Sequence, residues 1–281
     1  MRKTYHKILV GVILIFALIG FVLVSGYIAT RLGLTNTKGI IDTQTKSFIK
    51  KPKAGETSYT TFPLAHTPEW IAFRLAVAKD APMITKVSKE TGIPARLLVA
   101  ILVPEQMRLF HSNRAIFKEV FAPLKVLGSQ NQFSWGIFGV KDDTARAIES
   151  HLQDRNSPYH LGKNFEKMLS FTSSNENDVD QERFARITDE RNHLYSYLYA
   201  ALYIAQIESQ WEKSGYKISV RPEVIATLWN LGFEKSSPHK NPKSGGAVLD
   251  IGKEKYSFGE IARLFFYSDE MIELLPIEKT R

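Results

Sequence analysis

The chain has 281 residues and a formal charge of +8 at neutral pH, with hydrophobic residues at 44% and charged ones at 23%; disorder throughout and collagen-like repeats are excluded. It contains no cysteine, which removes disulfides, thiol nucleophiles, Cys-ligated zinc and an acylated-cysteine lipid anchor. Residues 1–56 hold nine basic and two acidic residues, whereas the 28 basic and 27 acidic residues that follow nearly cancel, so the larger part lacks the charge to displace phosphate counterions and nucleic acid is not an expected partner.

Residues 1–7 carry Arg2, Lys3 and Lys7 and read as a cytoplasmic tail. From Ile8 to Thr30 no charged residue occurs, against the ~20 apolar residues that span a bilayer. The excess of positive charge before this segment predicts an anchor with the rest of the chain exported. A cleaved signal peptide with its site at Val24-Ser25-Gly26 is the rival reading, but the apolar core from Ile8 to Val24 exceeds the ~7–15 residues usual for one. Residues 31–66, rich in Thr, Lys, Ser and Gly and without sustained periodicity, read as a solvated linker.

Residues 67–281 form the expected globular domain, and apolar residues recur there at helical spacing. Helices are predicted over 70–78, 81–90, 95–103, 114–120, 142–153, 182–213, 222–231 and 258–266. Pro94 suits the first turn of the third, and Pro104 is expected to kink or stop it. Residues 170–181 have too little apolar content to pack and read as a surface loop. Strands are nearly absent, with brief pairing possible at 248–251. The fold class is therefore all-α with at most a minor β element, behind a single N-terminal transmembrane helix.

Three segments hold the chemistry. Seven apolar residues, 97–103, lead to Pro104-Glu105-Gln106. A carboxyl at the end of a buried element is harder to ionise, and a protonated carboxyl is what glycoside cleavage needs to protonate a departing oxygen. A helix-terminal Glu turned to water is the plain alternative. Next, Ser134-Trp135-Gly136-Ile137-Phe138-Gly139-Val140 places two glycines three apart, which permits close backbone approach. Finally, Thr227-Leu228-Trp229-Asn230-Leu231-Gly232 ends a helix with a stacking face and an amide, as a sugar cleft would use; a plain helix end with a core Trp fits equally.

In order and spacing these segments resemble the catalytic domain of lytic transglycosylases and goose-type lysozymes. Gly92-Ile93-Pro94, the apolar run and Glu105 match the family's opening. Gly136 to Val140 with Thr144-Ala145 resembles its Gly-Leu-Met-Gln-Ile segment, and residues 227–232 its Ala-Tyr-Asn-Ala-Gly helix end. The resemblance covers residues from about 85 to 233. It departs at Gln106, where the family has Ser, at Gly139, where it has Gln, and at Trp229, where it has Tyr. These changes bear on how sugar is positioned. The resemblance implies a lysozyme-like α domain without cofactor, cleaving the β-1,4 bond between N-acetylmuramic acid and N-acetylglucosamine in peptidoglycan glycan strands. Glu105 would be the general acid and then the base, while Gln106, Gly136, Phe138, Gly139, Trp229 and Asn230 would contact substrate. The expected location is the outer, periplasmic side of a bacterial cytoplasmic membrane. The alternative is a non-catalytic peptidoglycan-binding or envelope scaffold domain on the same fold.

Other patterns read as structural. Glu208-Ser209 resembles the family's Glu-Ser pair but falls after the glycine segment, out of order, and is expected at the surface. Glu149-Ser150-His151 are adjacent on a helix and point in different directions. The histidines show no metal-ligand spacing. Tyr195, Tyr197, Tyr199 and Tyr203 read as core or groove aromatics, and residues 239–250 as a loop able to rim the site.

Overall fold

The computed structural model describes residues 62–110 and 134–278, together with residues 10, 11, 14, 17, 20, 21, 24 and 25, all eight of which are helical. Those eight belong to one compact unit and the longer segments to a second. Among the described residues no helix is long and apolar enough to cross a membrane; the rest of the predicted anchor, most of the linker and the helix predicted over 114–120 lie outside the described residues.

Helices dominate the second unit. Helix α1 (Pro68–Thr91) opens on Thr67, whose hydroxyl accepts from the Trp70 amide at 3.2 Å, and closes on Gly92 at φ +76°. Two helices were expected here, over 70–78 and 81–90, and Pro82 lies within the stretch. One forms, because buried residues Trp70, Phe73, Val77, Asp80, Ile84, Val87 and Thr91 keep a single 3–4 spacing across the proline. The end of the expected linker packs beside its start. Phe62 and Leu64 are buried, with the Phe62 ring 4.6 Å from Trp70 and 5.9 Å from Phe265.

Helix α2 (Ala95–Phe110) begins beyond Pro94, whose carbonyl accepts from the Leu97 and Leu98 amides. It runs through Pro104 instead of stopping there. Its buried residues continue past the proline to Met107, so the packing that a break would forfeit outweighs one missing backbone bond. Helix α3 (Asp142–Gln153) follows.

The expected long helix over 182–213 is two helices, α4 (Glu176–Thr188) and α5 (Leu194–Lys213). Between them the Asp189 carboxylate accepts from the Arg191 and Asn192 amides, at 2.8 and 3.1 Å, and diverts the backbone into a turn. Helix α4 also starts inside the expected surface loop, at the Asn175 cap. It packs despite its polarity because Arg183 is buried among carboxylates.

Helix α6 (Pro222–Leu231) ends at Gly232, φ +95°. Strands β1 (Val248–Ile251) and β2 (Glu254–Ser257) pair antiparallel around Gly252, and α7 (Phe258–Phe266) follows directly. Helix α7 packs on α6 and α2, α1 packs on α5, and β1 touches α2. With every residue from Arg96 to Glu105 buried, α2 is thus the central element. A mainly helical domain with one small hairpin is the observed fold class.

Buried charges fasten the periphery. Arg183 holds Glu149 through Nε and Nη2 at 2.6 and 2.7 Å and Asp180 through Nη1 at 2.7 Å. Burial works against its charge, but these carboxylates more than offset it and raise its pKa. Asp80 of α1 meets His193 Nδ1 at 2.7 Å and accepts from the Tyr197 hydroxyl at 3.1 Å, tying α1 to the start of α5.

Candidate active site

Helix α2 delivers Glu105 to the interior, where the residue is 4% exposed. Its Oε1 lies 2.5 Å from Arg108 Nη2, one turn further along. The carboxyl group was expected among apolar neighbours; instead it has a cationic partner. Burial disfavours a bare carboxylate and the guanidinium favours it, so the two act in opposition.

The glycine segment forms a tight hairpin against this acid. Trp135 and Val140 exchange both backbone hydrogen bonds, at 2.7 and 3.0 Å, leaving residues 136–139 as the turn. Gly136 and Gly139 sit at φ +63° and +62°, which L side chains avoid. At Gly139 a Cβ would fall 2.5 Å from Glu105 Oε1 and 3.2 Å from its Cδ, so the backbone approaches the acid as only glycine allows. At Gly136 a Cβ would collide with the Ile187 carbonyl and the Ser196 hydroxyl. Gln106 completes the junction by donating through Nε2 to the Ile137 carbonyl. Its amide is therefore engaged with backbone, not held out toward solvent.

The third segment reaches the same cluster through Phe138. That fully buried ring lies 5.4 Å from Tyr197 and 5.7 Å from Trp229. Trp229 is 8% exposed, and Tyr203 packs on it at 4.8 Å. These contacts make Phe138 and Trp229 core aromatics beneath the hairpin rather than open stacking faces. Asn230 Oδ1 accepts from the Ala247 amide at 2.8 Å, while Thr227 Oγ1 accepts from the Gly245 amide at 2.9 Å. Helix α6 thereby pins the loop before β1, and the oxygen of Asn230 serves that loop. Segments 105–106, 135–140 and 227–230, far apart in the chain, thus form one contact cluster.

Three features escape the sequence reading. The Arg108 partner of Glu105 was signalled only by i,i+3 spacing. The carboxylates around Arg183 come from α3 and from α4 itself and leave no sequence pattern. Glu208, expected at the surface, lines a cleft of about 340 Å³. Burial first, and then the Glu212 carboxylate, push its carboxyl up to about 7, with Lys217 opposing them. Among the described residues no group of three or more His, Asp or Glu side chains is placed to hold a metal ion.

Comparisons with protein-family models, with characterised protein sequences and with solved structures give no match to this chain.

Proposed function

We propose that the protein is a membrane-anchored lytic transglycosylase of peptidoglycan, built on a lysozyme-like α domain, with Glu105 as its acid and base. The observation that carries this reading is the convergence of Glu105 with the Gly136–Val140 hairpin. An acid buried against bare backbone is held rigidly, and a sugar oxygen that reached it would meet it away from bulk water. In the reaction, Glu105 gives its proton to the bridging oxygen as the bond from the muramyl C1 to that oxygen breaks. The muramyl 6-hydroxyl then bonds to C1 and returns its proton to Glu105. A 1,6-anhydro ring results, no water is consumed, and the acid is regenerated. The substrate supplies its own nucleophile, so a second protein carboxylate is unnecessary, unlike the two-carboxylate arrangement of most glycosidases. The active domain would face the outer side of the cytoplasmic membrane, where its glycan substrate lies.

The test is incubation of the full chain, in non-ionic detergent, with purified cell wall, followed by mass spectrometry of released muropeptides. Products one water lighter than hydrolytic fragments are expected, and Glu105→Gln should abolish them. No release by the wild type, or undiminished release by the variant, would sink the proposal.

The Arg108 ion pair and the bare Gly139 favour one second reading, a wall-binding domain without turnover. It predicts that intact wall retains the protein, that Glu105→Ala binds equally well, and that neither form releases fragments.

A further inference from the structure

The Glu208-Ser209 pair, which the proposed reaction does not use, stands at the mouth of a separate cleft between α5, the Gly92-Ile93 turn and the 161–165 loop. Its apolar walls are Ile93, Leu161, Phe165 and Ala205, and its acids are Glu208 and Glu212, one turn apart on α5. Ala95 begins α2 beside this cleft, and ten residues of helix separate it from Glu105, about 15 Å along the axis. The two sites are therefore distinct, and this inference does not depend on the reaction proposed above.

Among the described residues, the neutral and cationic groups around the cleft are already engaged, and its two carboxyls are not. Lys213, at the rim, donates to the carbonyls of Pro158 and His160 at 3.1 and 2.7 Å. Ser209 donates to the His160 carbonyl at 3.3 Å, and Thr91 to the Val87 carbonyl at 2.7 Å. The Glu208 carboxyl, partly buried, has no hydrogen bond or ion pair within the described residues. A carboxyl desolvated without a partner is costly in its charged form and is relieved by a cation that enters with it. Its apolar walls exclude a heavily hydrated ion and suit methylene groups.

We propose that this cleft binds a primary ammonium group carried on a short aliphatic chain, as a diamino-acid side chain presents it, with Glu208 as the principal counter-ion. The methylenes lie along Ile93, Leu161 and Phe165, the ammonium reaches Glu208, and Glu212 adds a second negative charge at the exposed side. An acetylated amine brings the same chain without the charge and leaves the carboxyl unrelieved.

Isothermal titration calorimetry of the full chain in non-ionic detergent at pH 8 tests this with three probes. These are Nα-acetyl-lysine amide, 1,5-diaminopentane, and Nα,Nε-diacetyl-lysine amide as the uncharged control. At least one amine should bind ten-fold or more tighter than the control. Tighter binding of the lysine amide marks a peptide-borne side chain as the source, and tighter binding of the diamine marks a free amine. Glu208→Gln should weaken amine binding at least ten-fold. Glu212→Gln, at an exposed position where folding is not at stake, should weaken it about three-fold and serves as the check should Glu208→Gln not fold. Amines that bind no better than the control, or wild-type affinity in the folded variants, would overturn the proposal.

Discussion

At the scale of single residues, the constraint that bears directly on the candidate acid is that between Gly139 and Glu105. A side chain at 139 must adopt φ +62° and meet a carboxylate that Arg108 already holds. Gly139→Ala should therefore cost about 2 kcal/mol and lower the melting temperature by roughly 4–8 °C. Thermal denaturation followed by circular dichroism would show it, and an unchanged melt would mean the hairpin relaxes freely. The glutamine of the resembled family cannot be reinstated at this position in isolation: it would press on the acid it is meant to assist. Glu208 gives a second residue-scale test, through pH. Its folded pKa, raised from 4.5 to about 7, means that between those values the folded state keeps a proton that the unfolded chain has lost. Its contribution to stability is thus fully present below about pH 4.5 and is lost as pH rises through 7, up to about 3 kcal/mol in all. Glu208→Gln should gain on the wild type in chemical denaturation at pH 8 relative to pH 5. The same difference at both pH values would contradict this.

At the scale of elements, α3, α4 and α5 are joined by charge as much as by apolar contact. Arg183 of α4 is 3% exposed and ties Glu149 of α3, while the Tyr199 hydroxyl of α5 donates to the same Glu149 at 2.5 Å. Arg183→Met would leave the partly buried Glu149 without its cation and should cost about 3 kcal/mol. Hydrogen exchange should then show loss of protection in α4 ahead of α2, whereas uniform loss would indicate that α4 is not a separate cooperative piece.

This network explains why the sequence misled over α4. Apolar periodicity reports burial in a hydrocarbon core, and residues 176–188 gain theirs through ion pairs. Pro104 misled in the opposite sense, because it lies within a stretch whose buried face continues on both sides. The segments that positioned Glu105, the glycine hairpin and the end of α6 were legible, since each depends on local rules: an apolar run, paired glycines, a helix-ending glycine. What those segments do with their side chains was not. The commitments of Gln106 to Ile137, Asn230 to Ala247 and Trp229 to Tyr203 are tertiary contacts with no trace in spacing.

At the scale of the whole molecule, charge separates two regimes. Most of the basic excess falls before residue 57, and the remainder is nearly neutral. On the proposed location, the protein should remain with membranes after washing in high salt and in alkaline carbonate, and detergent should release it. Release by salt alone would instead mark a peripheral protein held by its basic residues. Within the second unit, one long-range fastening is Arg96, which is 1% exposed at the start of α2. Its five N–H donors all reach carbonyls of the chain after α6, those of Phe265, Phe266, Ser268, Glu270 and Leu275, at 2.6–3.1 Å. Trp70 adds a bond to the Glu270 carboxylate from α1. Arg96→Met should therefore unfold the domain as a unit, at a cost of about 3–5 kcal/mol read from urea denaturation, and not merely fray its last turns. Sequence separations of 169 to 179 residues stand between this guanidinium and its acceptors. During synthesis, then, the central helix emerges long before anything can neutralise the polarity at its foot. The nascent chain has to carry a greasy, half-finished rod until the late segment arrives, which makes slow maturation and dependence on holding chaperones an expected cost of this closure.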